Sequence, residues 1–409
     1  MMGNILVKNI GMLATPQGKT AKKGAEQGQI QILKDAWVLV KDGVIDSVGT
    51  GAAPAAPGAE VIDAQGNLVT PGLVDAHTHL IFGGWRQNEL ALKLHGAGYL
   101  DILAAGGGIL STMRATQSAS EEQLEAKASA ALDEMLRFGT TTAEAKSGYG
   151  LSTGEECKAL RVIGKLQKHH VMDLAATFMG AHAVPEAYRD NRQGYLELLC
   201  EEMLPAVREQ GIAEFCDVFC EKGVFSAEES RRILLTGRQH GLRPKIHADE
   251  IEAIGGSELA GEIGAVSAEH LIVCPPSGIA SMAEGGTVAC CLPATSFYLG
   301  AAYAPVQDMV QAGVPVAMAT DFNPGSCPCL NMQLVISLGC LRYRLTPEQA
   351  LTAVTLNGAA AICRADRIGS IEPGKQADIL IWNAEDLDYI CYRLGSNLVD
   401  TVIKKGNVV

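Results

Sequence analysis

The sequence PGLVDAHTH at residues 71–79 contains a short apolar strand that runs into two histidines. Seven further segments of this kind follow, each an apolar run with polar, often ionisable residues at or near its end. They occupy residues 140–144, 174–178, 216–219, 243–247, 265–270, 288–292 and 314–321. Helical stretches separate the strands, and Ser120, Ser226 and Thr346 each begin one with a capping pattern. Eight strand–helix alternations predict an α/β fold, a (β/α)8 TIM-type barrel whose parallel strands are buried on both sides.

The two chain ends have a different pattern, in which short β-branched runs alternate with glycine-containing turns. Residues 29–48 and 377–409 both contain hairpin signals of this type. Neither end holds enough strands to form a stable sheet alone. We therefore predict a smaller composite β-sandwich domain built from both chain ends, residues 1–70 and 369–409, beside a barrel at residues 71–368.

Composition and charge limit the classes of function. Among the 409 residues, 47% are hydrophobic and 19% are charged, which is typical of a globular protein. A formal net charge of −13 argues against a nucleic-acid partner, since such a partner requires a basic face. The chain shows neither a signal-peptide pattern nor a run of ~18 apolar residues, so we expect a cytoplasmic protein with no membrane partner. Its 12 cysteines lack paired C-x-x-C spacing and are interpreted as reduced, mostly packed side chains.

Five of the nine histidines lie at or just after predicted barrel strands, where the active sites of such barrels are built. They are His77, His79, His182, His247 and His270. His77 and His79 alternate along one strand, so both imidazoles can reach one ion. An H-x-H pair alone is more often structural, and the case for a metal therefore depends on the residues at other strand ends.

His247 at the fifth strand and Asp321 at the eighth complete a set of four nitrogen and oxygen ligands that suits zinc or iron. The alternative is four separate core polar groups, which would need four unrelated sets of partners. Such a metal lowers the pKa of bound water towards ~7. Asp321 is the candidate to take the proton of that water, and His270 is the candidate to polarise a substrate carbonyl. The sequence thus predicts a metal-dependent hydrolase.

The stretch at residues 71–79 resembles the opening strand of the amidohydrolase superfamily, and further blocks resemble its imidazolonepropionase family. These blocks lie at residues 82–86, 106–112, 146–151, 179–182, 245–250 and 319–326. The resemblance extends from about residue 70 to 370 and weakly through the terminal strands. It implies hydrolysis of the cyclic amide carbon–nitrogen bond of 4-imidazolone-5-propanoate, giving N-formimidoyl-L-glutamate in histidine degradation. It also implies a small-molecule substrate as partner, one zinc or iron ion per subunit and a homodimer.

The same resemblance implies the site residues. Metal ligands are expected at His77, His79, His247 and Asp321, and substrate contacts at Arg86, Tyr149, His182, Glu250, Asn323, Gly325 and Ser326. Arg86 can bind the propanoate carboxylate bidentately, and the Tyr149 hydroxyl can donate to the same group. His182 can bond the ring carbonyl or a ring nitrogen. Glu250 can accept a ring N–H and assist proton transfer, which makes it the third catalytic candidate beside Asp321 and His270.

Some features leave alternatives open. Trp85 stands before Arg86 where a small residue is expected, and Cys327 follows Ser326, so the placement of Arg86 and the width of the pocket mouth are open. The run Gly106 to Gly108 does not follow a strand and is no nucleotide loop; a loop over the site and a plain linker both fit it.

A related amidohydrolase acting on a nucleobase or triazine would not need the carboxylate anchor. A catalytically silent scaffold predicts missing metal ligands.

Overall fold

A computed structural model describes residues 4–95 and 107–409 of the chain. The described residues contain two eight-stranded sheets, and in one of them eight parallel strands are hydrogen-bonded in chain order. With all strands numbered along the chain, they are β6 (Leu73–Asp75), β7 (Thr140–Lys146), β8 (Asp173–Ala181), β9 (Phe215–Cys220), β10 (Arg243–Ala248), β11 (Ser267–His270), β12 (Val288–Cys291) and β13 (Val316–Met318). Each predicted strand segment overlaps one of them, and the predicted barrel is confirmed.

Backbone bonds just beyond β6 and β13 bring the first and last strands together. The Asp321 N–H donates to the His77 carbonyl (3.1 Å), and the His79 N–H donates to the Phe322 carbonyl (2.9 Å). Thr78 and Phe322 also form a parallel bridge. These contacts close the barrel at the carboxyl ends of its strands, so residues from β6 and β13 become neighbours there.

Helices cover the outside of the barrel. The α-helices are Leu90–Leu94, Ile109–Ser118, Glu121–Arg137, Thr153–His169, Arg192–Glu197, Leu204–Gln210, Ala227–Gln239, Gly256–Glu262, Pro276–Gly285, Pro293–Leu299, Val306–Gln311, Met332–Tyr343, Pro347–Val354, Leu356–Ala361 and Leu387–Tyr392. Short 3-10 turns lie at Gly24–Gly28, Gln87–Glu89 and Glu186–Tyr188, and a π turn at Leu198–Met203. Ser120, Ser226 and Thr346 each cap a helix through a reciprocal capping box. None of the helices in the described ranges is long and apolar enough to cross a membrane.

The two chain ends build one sheet, as predicted. It consists of β1 (Ile5–Thr15), β2 (Gln31–Lys41), β3 (Val44–Thr50), β4 (Glu60–Asp63), β5 (Leu68–Pro71), β14 (Ile379–Trp382), β15 (Val399–Lys404) and β16 (Asn407–Val408). The strand order is β16-β15-β14-β5-β1-β2-β3, with β4 also paired to β1. The antiparallel pairing of β5 with β14 joins the amino-terminal and carboxyl-terminal segments. The domain boundaries at residues 70 and 369 remain predictions.

This terminal sheet is continuous and surrounds an apolar core of its own. Ile10, Val38, Val69 and Ile381, which come from four different strands, belong to one buried cluster. A fully buried lysine, Lys404, connects the sheet to the barrel by an ion pair to Asp173 (2.8 Å), and it also pairs with Asp378 (2.7 Å) next to β14. Because Asp173 is the first residue of β8, this connection lies at the amino end of the barrel strands. The carboxyl ends are therefore left for the functional site.

Candidate functional site

Four buried donor groups converge at the carboxyl ends of β6, β10 and β13. They belong to His77, His79, His247 and Asp321, the four predicted metal ligands. Asp321 Oδ1 lies 3.4 Å from His77 Nε2 and 3.5 Å from His79 Nε2. The Nε2 atoms of His79 and His247 are 3.3 Å apart. The chain folds these residues together because parallel strands all end on the same side of the barrel.

The donor separations fit a single divalent cation. Metal–nitrogen bonds of about 2.0–2.1 Å in tetrahedral geometry place neighbouring donor atoms about 3.3 Å apart. His77 Nε2 and Asp321 Oδ1 are buried and have no hydrogen-bond partner among the described residues. Unpartnered buried polar atoms are costly, and a metal that accepts their lone pairs removes that cost. These separations support the predicted set of four ligands, which stays a prediction.

Two carboxylates outside this set fix the orientation of the imidazoles. His77 Nδ1 donates to Glu269 (2.8 Å), and His247 Nδ1 donates to Asp217 (3.1 Å). Each contact leaves the Nε2 atom of its ring as a free acceptor directed at the other ligands. Burial lowers the pKa of His77 well below 6.5, so its imidazole is neutral and able to bind a metal. The sequence reasoning missed Glu269 and Asp217.

Behind these carboxylates lies a fully buried ionic network. Lys146 Nζ contacts Asp217 (2.7 Å) and Glu144 (2.8 Å). Lys245 Nζ contacts Glu144 (2.9 Å) and Glu269 (3.4 Å). The nearby negative charges raise the pKa of Lys146 against the effect of burial, and Asp217 has its pKa held well below the usual range by His247 and Lys146. The sequence held a signal for this network, because its two lysines and three carboxylates are charged residues inside otherwise apolar barrel strands.

Asp321 is held in a specific orientation. Its Oδ2 accepts a hydrogen bond from Thr295 Oγ1 (2.7 Å), which turns Oδ1 towards the histidines. Its backbone has a positive φ of 57°, and His270 has a φ of 68°. Such conformations cost energy in residues other than glycine and concentrate at functional sites. Burial raises the pKa of Asp321, which favours proton uptake by this carboxylate.

The two other catalytic candidates, His270 and Glu250, lie together beside this centre. His270, His77 and Asp321 form a second group whose donor atoms all lie within 4.8 Å of one another. The Glu250 carboxylate is 3.7 Å from His270 Nε2. Burial lowers the pKa of His270 to about 4 and raises that of Glu250 to about 7. Of these two candidates, Glu250 is the one that changes its protonation near neutral pH.

Aromatic side chains extend the site on the His79 side. The His182 ring stacks on His79 at a centroid distance of 4.8 Å and an angle of 20°. His182 Nδ1 donates to the Gly148 carbonyl (3.0 Å), so its Nε2 can accept a hydrogen bond. Tyr149 lies 5.1 Å from the His182 ring and is 5% exposed. Both residues therefore line the same wall of the centre, and their contacts with substrate stay predictions.

Arg86 reaches this wall from the loop after β6. Its guanidinium lies so close to Gly325 that a Cβ there would be 1.2 Å from Arg86 Nη2. Trp85 does not displace it, because the indole packs on Phe82 (4.9 Å between centroids) and Phe322 (5.8 Å) and is 47% exposed. The structure thus places Arg86 beside Gly325, and its contact with substrate stays a prediction.

The loop after β13 has internal bonds that define its shape. Asn323 Oδ1 accepts from the N–H groups of Gly325 (2.8 Å) and Ser326 (2.7 Å), while its Nδ2 donates to the Asp321 carbonyl (2.7 Å). Asn323 therefore holds the loop, and substrate contacts by Asn323, Gly325 and Ser326 stay predictions. Cys327 is fully buried, and burial raises the pKa of its thiol.

The glycine run before the helix Ile109–Ser118 lies partly outside the described residues. Gly106 is not among the described residues. The prediction of a loop over the site therefore lies, at Gly106, outside the part of the chain that the structure describes. Gly108 N–H donates to Glu89 Oε1 (2.6 Å), and Glu89 Oε2 lies 3.7 Å from Arg86 Nε. The end of this run thus contacts the segment that carries Arg86.

Comparisons with known proteins agree with this geometry. A profile of the amidohydrolase family matches residues 68–409. An imidazolonepropionase of Alkaliphilus metalliredigens is 50% identical, with 100% of this chain and 98% of the relative covered. One from Streptococcus gordonii is also 50% identical, with 94% and 93% covered. These two relatives match nearly the whole chain.

Solved structures match at lower identity and show the fold alone. Guanine deaminase of E. coli is 17% identical with a TM-score of 0.75, covering 100% of this chain and 99% of that chain. An adenosine deaminase of Xanthomonas campestris with bound zinc is 21% identical with a TM-score of 0.71, covering 99% and 92%. The arrangement of barrel and terminal sheet is therefore shared across enzymes of different names.

Proposed function

The chain belongs to the imidazolonepropionases of the amidohydrolase family, and on that premise we propose that its site hydrolyses the ring amide of 4-imidazolone-5-propanoate. The product is N-formimidoyl-L-glutamate, and the reaction belongs to histidine degradation. The observation that carries the proposal is the convergence of four buried candidate donors with Arg86 and Tyr149 at one end of the barrel. A nucleobase or triazine substrate is not favoured, since it has no carboxylate for the arginine.

We propose one zinc or iron ion, held by His77, His79, His247 and Asp321. When bound, such an ion makes hydroxide available at neutral pH by lowering the pKa of a coordinated water. The choice between the two metals is open, because nitrogen and carboxylate ligands accept both. A homodimer and a cytoplasmic location remain predictions from the sequence; size-exclusion chromatography with light scattering tests the first.

The chain's own residues then have separate roles. Arg86 and Tyr149 bind the propanoate carboxylate, which places the ring beside His79 and His182. His182 Nε2 accepts a ring N–H, because its Nδ1 proton is already donated to Gly148. The ring carries one N–H in each tautomer, and Glu250, on the side of His270, accepts that N–H in the tautomer that places it on the other ring nitrogen. His270 is neutral and stabilises charge that develops on the carbonyl oxygen.

Hydrolysis consumes one water, whose oxygen ends in the new carboxylate of the product. Asp321 accepts the proton of the attacking water and returns it to the departing ring nitrogen. The raised pKa of this buried carboxylate suits such a shuttle. When Arg86 and Tyr149 hold the carboxylate tail, the substrate ring is pressed against the buried side chains of the site, which keeps bulk water away from the bond that breaks.

A direct assay tests the proposal. Purified protein is given freshly generated imidazolone propanoate, and loss of the substrate absorbance is followed with and without a chelator. We expect turnover that the chelator abolishes and that zinc or iron restores. An active protein without stoichiometric transition metal would contradict the metal assignment.

The carboxylate anchor needs its own variant. Arg86→Ala should reduce kcat/KM mainly through KM, while Arg161→Ala is the matched control because Arg161 is 47% exposed and pairs with Glu121 on the surface. If Arg86→Ala retains full activity, the related aminohydrolase becomes the better interpretation.

A further inference from the structure

Two cysteines from distant parts of the chain meet where the helix Met332–Tyr343 packs on the helix Leu387–Tyr392. The Sγ atoms of Cys340 and Cys391 are 3.4 Å apart, although 51 positions separate them in sequence. Both side chains are half-buried at the edge of the barrel core, so a small molecule in solution can reach them. Neither residue takes part in the functional site.

The elements that carry the two cysteines are held in fixed register. Gln333, at the start of the first helix, donates to Asn397 (2.8 Å) and accepts from the Leu398 N–H (2.9 Å). Leu387 and Ile390 of the second helix are buried in the barrel core. The sulfur contact therefore lies between packed elements, and the two sulfurs must approach by about 1.4 Å to reach the ~2.05 Å of a disulfide bond.

The contact also separates the chemical roles of the two thiols. The hydrogen bond with Cys391 lowers the pKa of Cys340, while the pKa of Cys391 is raised by the same contact and by burial. The thiolate is the reactive form in thiol–disulfide exchange. Cys340 is thus suited to attack first, and Cys391 is suited to act as the resolving thiol.

We propose that Cys340 and Cys391 form a redox-sensitive site that a low-molecular-weight disulfide converts into an intramolecular disulfide. The Cys340 thiolate attacks one sulfur of the oxidant, which forms a mixed disulfide and releases one small thiolate. Cys391 then loses its proton, attacks the Cys340 sulfur and displaces the second small thiolate. Two electrons pass from the protein thiols to the oxidant, which is reduced to two thiols.

The link would fasten the helix after the Asp321 loop to the segment that leads into β15. It closes a loop of 51 positions, which restricts the unfolded chain and raises thermal stability. Cys157 and Cys363 provide internal comparisons, since both are half-buried and neither has a sulfur contact within the described ranges.

The test uses the full chain, reduced and then freed of reductant. It is equilibrated with oxidised and reduced glutathione at stepped ratios, quenched with iodoacetamide and digested without reduction for mass spectrometry. We expect a peptide pair linked through Cys340 and Cys391, while Cys157 and Cys363 are recovered alkylated or as glutathione adducts. Recovery of Cys340 and Cys391 without a link, at ratios that modify Cys157, would overturn the proposal.

Variants separate the proposed link from general oxidation. In Cys391→Ser the glutathione adduct of Cys340 should accumulate, whereas Cys157→Ser should form the link as the natural chain does. The thermal midpoint should rise on oxidation in the natural chain and in Cys157→Ser, and stay constant in Cys340→Ser. An equal rise in Cys340→Ser would show that another cysteine is responsible and would refute the assignment.

Discussion

Replacing Gly325 by alanine should impair the anchor for the substrate tail and leave the rest of the site intact. The added Cβ would lie 1.2 Å from Arg86 Nη2 and 2.1 Å from its Cζ. Ordinary van der Waals contact begins near 3.4 Å, so the guanidinium must move by about 2 Å. The backbone at Gly325 does not have a positive φ, and alanine is therefore allowed there.

A displacement of about 2 Å breaks the charge-assisted bonds to the carboxylate, which need donor–acceptor distances near 2.8 Å. Loss of one hydrogen bond to a charged group costs about 1.5–3 kcal/mol. We therefore expect kcat/KM to fall about 10- to 150-fold, since 1.36 kcal/mol corresponds to a factor of ten, with most of the change in KM. Bound metal should be unchanged, because Gly325 supplies no ligand.

The chain offers a matched control for the same chemical change. A Cβ at Gly154, in the helix Thr153–His169, meets no atom within 4 Å, so Gly154→Ala should be as active as the natural chain. Steady-state kinetics are measured for each protein with imidazolone propanoate and with an analogue whose tail ends in a neutral amide. Gly325→Ala should lose activity only on the acid. An equal loss on both compounds, or no loss on either, would refute the reasoning.

Three further predictions concern the metal support and the proton. Asp217→Asn removes the anionic acceptor of His247 and should weaken metal affinity about 10- to 100-fold, measured by competition with a chromogenic chelator; unchanged affinity would contradict its role. Because burial raises the pKa of Glu250 to about 7, its base form is lost below that pH, so kcat/KM should rise with pH through about 7, and Glu250→Gln should abolish this limb. Lys146→Met leaves Asp217 and Glu144 buried with one cation fewer and should lower the free energy of unfolding by about 3–5 kcal/mol in urea titrations; a loss under 1 kcal/mol would mean that the network relaxes.

The barrel and the convergence of the candidate metal ligands could be predicted from the sequence because both follow from local patterns. Eight apolar runs with polar ends predicted the strands, and the convergence of parallel strand ends placed His77, His247 and Asp321 together before any distance was known. The pairing of β5 with β14 could be predicted only in outline. The local sequence of a strand does not show with which register it pairs with a strand from a remote part of the chain.

The buried network could not be predicted, because its contacts join residues that are far apart in sequence. Glu269 supports His77 across 192 positions, and Lys146 pairs with Asp217 across 71. A charged residue inside an apolar strand indicates that a partner exists and does not say which one. The loop-forming role of Asn323 was missed for another reason: an asparagine beside a predicted site suits substrate binding and an internal turn equally well.

The charges around the centre show why the network and the metal site belong together. Within the described barrel interior, Lys146 and Lys245 face three carboxylates, which leaves one excess negative charge, and an ionised Asp321 adds a second. Burial raises the pKa of Asp321, so its charged form needs a compensating cation. A divalent ion supplies that compensation, whereas the lysines are occupied by their own partners. The fold therefore leaves uncompensated negative charge at the strand ends. Metal binding should neutralise this charge, and so stabilise the chain against unfolding as well as equip it for hydrolysis.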